Sequence, residues 1–290
     1  MINKIKKAIN NPSLIIPHLK YKYNMGRLRW IKFSCGEELV IDLDDYKLLV
    51  NVNREGIDQE LALYGEREPV SSKAYRNELS DLGEQIDNTR VLEVGANIGF
   101  WALMPPTEID DVEVIAVEVD KNNIMALERN ISINGFEDDF YIEQVALSDT
   151  NGEASVYTHD ASNLHSLEEK VYESRKEKVK EVTKTKTIRG DELLSKHKIT
   201  EEDINVLRMD VEGHEAAILR GLPNIFNHSP LLFHVELHPC YMNEDDIDYI
   251  IDRFSGCEII VAALEEDIFH NPNIEELMNT KRYFEIVGRF

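Results

Sequence analysis

From Arg90 onward, short apolar runs alternate with stretches whose apolar residues recur every three or four positions. VLEVGA (91–96), VEVIAVEV (112–119), FYIEQVALS (140–148), INVLRMDV (204–211) and LLFHVELH (231–238) are brief and largely apolar. That pattern predicts strands. Between them, NNIMALERNISING (122–135) and HEAAILRGL (214–222) have helical spacing. The first stops at Asn134-Gly135 and the second near Gly221 and Pro223, both helix-ending signals. Alternation of this kind predicts an α/β fold, a doubly wound and mostly parallel sheet with helices on both faces.

Upstream the rhythm differs. Pro12 and Pro17 interrupt the first segment, and LRWIKF (28–33) with EELVIDL (37–43) predicts a hairpin around Ser34, Cys35 and Gly36. Trp30 is then expected in a core. Residues 56–64 and 71–84 read as helices around the turn-forming stretch from Gly65 to Pro69. Residues 159–186 break the later rhythm and read as an insertion carrying a strand in VKEVTKTKT. Asn163, His165 and Ser166 in its polar loop are candidates for a substrate lid. The economical division is an N-terminal arm and hairpin over residues 1–60 and one domain over 61–290.

Charge adds a polarity to this plan. The 290 residues hold 55 acidic and 32 basic side chains, a net charge of −23. Residues 1–34 include Lys4, Lys6, Lys7, Lys20, Lys22, Arg27, Arg29 and Lys32 and no acid. An acidic body opposes nucleic-acid binding, while a basic arm suits an anionic membrane surface or a lipid-linked substrate. Cys35, Cys240 and Cys257 show no close pairing, which fits a reducing cytoplasm and offers no zinc-ligand spacing. No apolar run approaches the roughly 20 residues of a membrane span. The expectation is a cytoplasmic protein, with contact at the inner membrane face through its arm.

The candidate chemistry begins at the first strand–helix turn, Glu93-Val94-Gly95-Ala96-Asn97-Ile98-Gly99. Glycines there let a backbone approach a ligand closely, and in open α/β sheets ligands bind at the carboxyl ends of strands. Glu118, at the end of the second strand, is placed to accept ribose hydroxyls. A dinucleotide fingerprint would need glycines at 97 and 100, where Asn97 and Phe100 stand, which disfavours a nicotinamide-dependent oxidoreductase. Glu93 beside the turn is unsuited to a pyrophosphate but suits the cationic groups of S-adenosyl-L-methionine.

RVLEVGANIGFWAL (90–103), VIAVEVDKNNIMALERNISING (114–135) with VALSDTNGEASVY (145–157), and LRMDVEGHEAAILRGL (207–222) with FHVELHP (233–239) together resemble the FkbM family of class I methyltransferases. The D-x-E-G-x-E string from Asp210 to Glu215 is its most specific element, and YGEREP (64–69) matches a glutamate that often precedes the fold. TIRGDELL (187–194) departs from the family's usual segment. The resemblance implies a Rossmann-like fold and S-adenosylmethionine contacts at Glu68, Glu93, Gly95, Ala96, Asn97, Gly99 and Glu118. It further implies Ser148 or Asp149 near the adenine and Asp210 beside the methionine end. It points to sugars, glycolipids or similar small acceptors.

Methyl transfer to a hydroxyl requires removal of its proton. Asp210, Glu236, His214 and His238 cluster near the ends of the fourth and fifth strands, with 210 and 236 at equivalent positions. Asp210 and Glu236 are the expected pair on the acceptor, and the two histidines are alternative bases. The same groups could ligate magnesium, but no dense D-x-D run favours a metal. A catalytically silent S-adenosylmethionine-binding module stays open as the alternative to an enzyme.

Overall fold

A computed structural model of the chain describes residues 15–43, 45–159, 167, 179–264 and 267–290. It opens with helix α1 (Ile15–Cys35), followed by hairpin strands β1 (Glu38–Asp42) and β2 (Lys47–Asn51) and helices α2 (Ile57–Tyr64) and α3 (Pro69–Gly83). The segment LRWIKF is therefore helical, and EELVIDL pairs forward with Lys47–Asn51 instead. Over six residues its apolar positions fit either period. The helical one wins because Leu28 is buried, with Met25 and Ile31 packed beside it, against a core that α2 and the hairpin also supply. Pro17 falls in the first turn of α1, where a missing N–H is tolerated. Trp30, expected in a core, is 68% exposed. The start of the arm, the lid candidates Asn163, His165 and Ser166, and residues 168–178 lie outside the described residues.

Beyond α3 come β3 (Thr89–Val94), the short helix α4 (Pro105–Glu108), β4 (Val112–Val117), α5 (Lys121–Asn134) and β5 (Phe140–Glu143). FYIEQVALS is not one strand. After β5 the chain leaves the sheet and forms β6 (Ala146–Ser148), which joins β7 (Gly152–His159) and β8 (Val179–Arg189) in a separate three-stranded sheet. Helix α6 (Gly190–Lys196) leads to β9 (Val206–Met209), α7 (Glu215–Arg220), β10 (Leu232–Leu237) and α8 (Glu244–Phe254). The chain closes with β11 (Glu258–Leu264), β12 (Asp267–His270), α9 (Ile274–Asn279) and β13 (Phe284–Arg289).

The main sheet has the order β12-β11-β13-β10-β9-β3-β4-β5. Strands β5, β4, β3, β9 and β10 are parallel, and β13 inserts antiparallel between β10 and β11. This is the doubly wound α/β sheet expected from the sequence. The chain runs outward from β3 to β5 and then returns to β9 on β3's other side. That reversal opens a crevice above the carboxyl ends of β3 and β9.

Alternate residues on each strand serve opposite layers. Leu92, Val94, Leu207, Met209, Phe233 and Val235 pack on α6 to α9. Val91, Val114, Ala116, Val206 and Leu232 pack on α1 to α3, α5 and the hairpin. The N-terminal segment thus completes one helical layer of the same core.

Helix α5 ties that layer to the crevice. The fully buried Asn130 donates its amide to the Ile98 carbonyl at 2.8 Å and accepts from the Leu49 N–H at 2.7 Å. Asn134, one turn on, bridges to Lys47 at the surface. Asn130→Ala is expected to cost about 2 kcal/mol, because a buried carbonyl and a half-buried N–H lose their partner. Asn134→Ala should cost under about 1 kcal/mol, since water replaces it. Urea unfolding of both variants checks the ordering.

Candidate active site

The site follows from strand register. Val94 pairs with Val117 on one side and with Met209 on the other, and Met209 pairs in turn with Val235. One residue further along, Glu118, Gly95, Asp210 and Glu236 stand in a row across the crevice. Glu236 also faces Glu285 on β13. The chain brings these groups together from four parallel strand ends and one antiparallel strand.

At the centre, Gly95 has φ +83°, and a Cβ there would lie 2.1 Å from the Asp210 carbonyl oxygen. No side chain fits, so the loop seats directly on the segment that carries Asp210. Glu118 closes the loop from the other side. One carboxylate oxygen accepts from the Asn97 N–H at 2.8 Å, and the other accepts from Val119 and Asp120 at 2.8 Å each. Backbone groups therefore occupy three of about four lone-pair positions. Glu118 organises the rim of the crevice as well as facing it.

Two clefts meet at this edge. The first encloses about 660 Å³ of empty space including its mouth. Val94, Val117, Val145, Leu147, Val156 and Ile218 give it an apolar floor, and Asn97, Glu118, Asp210, Glu212 and His214 a polar rim. A flat heterocycle suits the floor, and a ribose and a charged group suit the rim. The second is lined by Glu68, Ser71, Glu236, Tyr283 and Glu285. Asp210 joins them, because its carboxylate lies within 4.8 Å of ligand atoms of Glu236 and His238.

Beneath the row is a layer of buried charge. Glu93 and Arg208 are cross-strand neighbours, 0% and 2% exposed, with an ion-pair distance of 3.3 Å. Arg208 also reaches Asp210 at 3.4 Å and donates to the Gly95 carbonyl at 3.3 Å. Burial pushes the Glu93 carboxyl up to about 7, against the pull of Arg208. Histidine 238 is held differently. Its Nδ1–H donates to the fully buried Glu215 at 2.6 Å, and its Nε2 faces Glu236 at 3.5 Å and Glu212 at 3.6 Å. Burial opposes its charge, but Glu215, Glu236 and Glu212 outweigh it and raise its pKa well above the usual histidine value. Glu236 is raised well above the carboxylate range by burial and then by Asp210. Burial and Glu68 do the same to Glu285.

The turn between β9 and α7 aims these groups. Glu212 and Gly213 both adopt positive φ, 53° and 103°, which reverses the chain within two residues. The Gly213 N–H then donates to Glu215 at 3.0 Å, on the same oxygen that holds His238. The D-x-E-G-x-E string is thus one device, with a strand-end acid, a left-handed turn and a buried anchor.

The family model of the Methyltransferase FkbM domain matches residues 93–261, more than half of the chain. The chain belongs to the FkbM methyltransferase family. Among solved structures it is similar to an FkbM methyltransferase from Methylobacillus flagellatus KT, with 14% identity, 79% of this chain and 52% of that one covered, and a TM-score of 0.41. It is similar also to the tRNA m1G37 methyltransferase of M. jannaschii, with 10% identity, 88% and 55% covered, and a TM-score of 0.42. A third is M. jannaschii TYW2 in complex with AdoMet, with 11% identity, 87% and 86% covered, and a TM-score of 0.40. The chain spans about half the length of the first two proteins. No curated protein matches it in sequence.

In this FkbM-family chain, the residues expected at the cofactor divide into groups. Gly95, Asn97, Glu118 and Asp210 line the first cleft. Ala96 is buried within the loop, and Gly99 seats the loop on α5, where a Cβ would come within 2.8 Å of Leu127. Ser148 lies behind His214, whose Nε2 it meets at 3.1 Å, and Asp149 follows it at the edge of the small sheet. Glu93 and Glu68 lie outside this cleft. Glu93 points under the loop because it shares a face with Arg208, and Glu68 faces the second cleft from the start of α3. Of the four catalytic candidates, Asp210, Glu236 and His238 come together, whereas His214 lines the first cleft. Arg208, Glu285 and the anchoring role of Glu215 lie outside the expectations drawn from sequence. Arg208 was legible as the one cation inside the apolar run VLRM; nothing local marked Glu285.

Glu93 sets a pH dependence of stability. Its folded pKa lies above the unfolded value, so the folded state binds the extra proton and loses stability as pH rises from about 4.5 to about 7. Glu93→Gln should make that decline shallower, by at most about 1.4 kcal/mol per pH unit. Denaturant unfolding across this range checks the slope.

Proposed function

We propose that the protein is an S-adenosylmethionine-dependent O-methyltransferase acting on a hydroxyl of a sugar, glycolipid or similar small acceptor. The observation that carries this reading is the row Glu118–Gly95–Asp210–Glu236, which runs from a cleft with an apolar floor and polar rim to a carboxyl-lined one. At about 4.8 Å per strand the row spans roughly 14 Å. S-adenosylmethionine, when bound, supplies an electrophilic methyl group on a positively charged sulfur. Glu118 and Asn97 would hold its ribose, the apolar floor its base, and Asp210 its charged end.

The chain's own residues do the remaining work. Glu236 takes the proton of the acceptor hydroxyl, since burial beside Asp210 makes it a stronger base than an ordinary carboxylate. His238 is held as a cation by Glu215, so it steadies the Glu236 carboxylate and does not act as the base. Glu68 and Glu285, on the far wall of the second cleft, accept hydrogen bonds from neighbouring hydroxyls of a polyol. The net charge of −23 favours such an acceptor over a nucleic acid.

Calorimetry is expected to give micromolar S-adenosylmethionine binding that Glu118→Ala weakens at least tenfold. Absence of binding by the folded wild type would refute the cofactor reading. Glu236→Gln should retain binding and lose about 100-fold or more in turnover on a glycan acceptor. In the wild type, the rate should fall with decreasing pH from above the usual carboxylate range, because the base form is lost on protonation. Unchanged turnover in Glu236→Gln would remove it from this role.

A further inference from the structure

Helix α1 has a second apolar face that the protein leaves in solvent. Tyr23, Trp30 and Phe33 are 67%, 68% and 89% exposed. At about 100° per residue they fall within one arc of about 80°. The body-facing side begins beside Tyr23, whose ring Arg27 covers at 5.9 Å. Leu28 is buried there, Asn24 donates to the Tyr64 hydroxyl at 2.6 Å, Arg27 donates to the Leu63 carbonyl, and Lys32 reaches Asn53 at 2.7 Å. These contacts anchor the helix to the core, so the aromatic face is presented on a fixed support. The exposed Arg29 borders the aromatic arc beside Phe33.

We propose that this face docks the protein on an anionic lipid bilayer, with α1 lying along the surface. Aromatic side chains with polar edges settle at the boundary between headgroups and acyl chains. Two or three exposed aromatics alone bind a neutral bilayer weakly, and basic residues add attraction to anionic lipid. The charge distribution fits that requirement, because residues 1–34 hold eight basic side chains and no acid while the whole chain carries −23. An acidic body is repelled by an anionic surface, so attraction through α1 alone also sets the orientation. Among the described residues, no helix is long and apolar enough to cross a membrane. The helix therefore lies on the bilayer. A second copy of the chain is a poorer occupant, since joining two copies brings two acidic bodies together.

The test is flotation of the full chain with vesicles of phosphatidylcholine alone and with added phosphatidylserine. The expected result is binding to the mixed vesicles only, weakened at high salt. It should fall at least tenfold in a Trp30→Ala/Phe33→Ala variant and several-fold in Arg29→Glu. Both variants should keep wild-type unfolding midpoints and S-adenosylmethionine affinity, so the result is independent of the cofactor reading. No binding by the wild type, or equal binding by the aromatic variant, would overturn the proposal. So would sedimentation showing a dimer that the aromatic variant abolishes. Acrylamide quenching offers a further arm, because Trp101 is buried at 3% exposure and Trp30 is not. A Trp30 signal shielded from quencher without vesicles would mean that the chain covers this face itself, and would also overturn it.

Discussion

The register of β4, β3, β9 and β10 is the constraint on which the rest depends. Parallel strands in register bring residues distant in sequence to one level, and here that level holds Glu118, Gly95, Asp210 and Glu236. A shift of one residue in any of these strands would exchange its two faces. Val94 and Met209 would leave the floor of the first cleft, and Glu93 and Arg208 would be driven into an apolar layer. The hydrophobic demand of two covered faces therefore fixes the chemistry of the edge.

The buried charges reinforce the same alignment. Placing Glu93 opposite Arg208 inside the sheet costs several kcal/mol of desolvation unless the two meet closely. Arg208 also reaches Asp210 and donates to the Gly95 carbonyl, so the pair ties the glycine loop to the acid beside it. Glu215 does the equivalent for the second cleft by holding both the Gly213 turn and His238. These groups act as braces. Their own side chains are inaccessible, yet they decide where the accessible carboxylates point.

Helix α1, the hairpin and α2 are packed into the core. The hairpin, α1 and α2 contribute to one helical layer, and Asn130 links that layer to the carbonyl of Ile98 inside the glycine loop. The helix that closes the core on one side leaves an aromatic face on the other. One contiguous segment thus carries an exposed aromatic face and braces the glycine loop.

The five parallel strands β3, β4, β5, β9 and β10 and the helices α5 and α7 were legible because period-two and period-3.6 patterns are local and repeated, whereas the division of FYIEQVALS between two sheets was not. Gly95, Asn97, Glu118 and Asp210 were legible for a related reason, since a glycine turn and strand-end acids follow from local backbone demands. Other features depended on contacts between distant segments. LRWIKF fits two periods over its length, and only packing against α2 selects the helix and turns Trp30 outward. Glu93 resembled a ligand contact until Arg208 appeared opposite it on β9. His238 and Glu215 lie 23 residues apart, and their pairing exists only once β10 stands beside β9. Local pattern determined which elements form and which chemistry they carry; register and burial decided which charges face a ligand and which brace the sheet, because those depend on neighbours that the chain supplies from elsewhere.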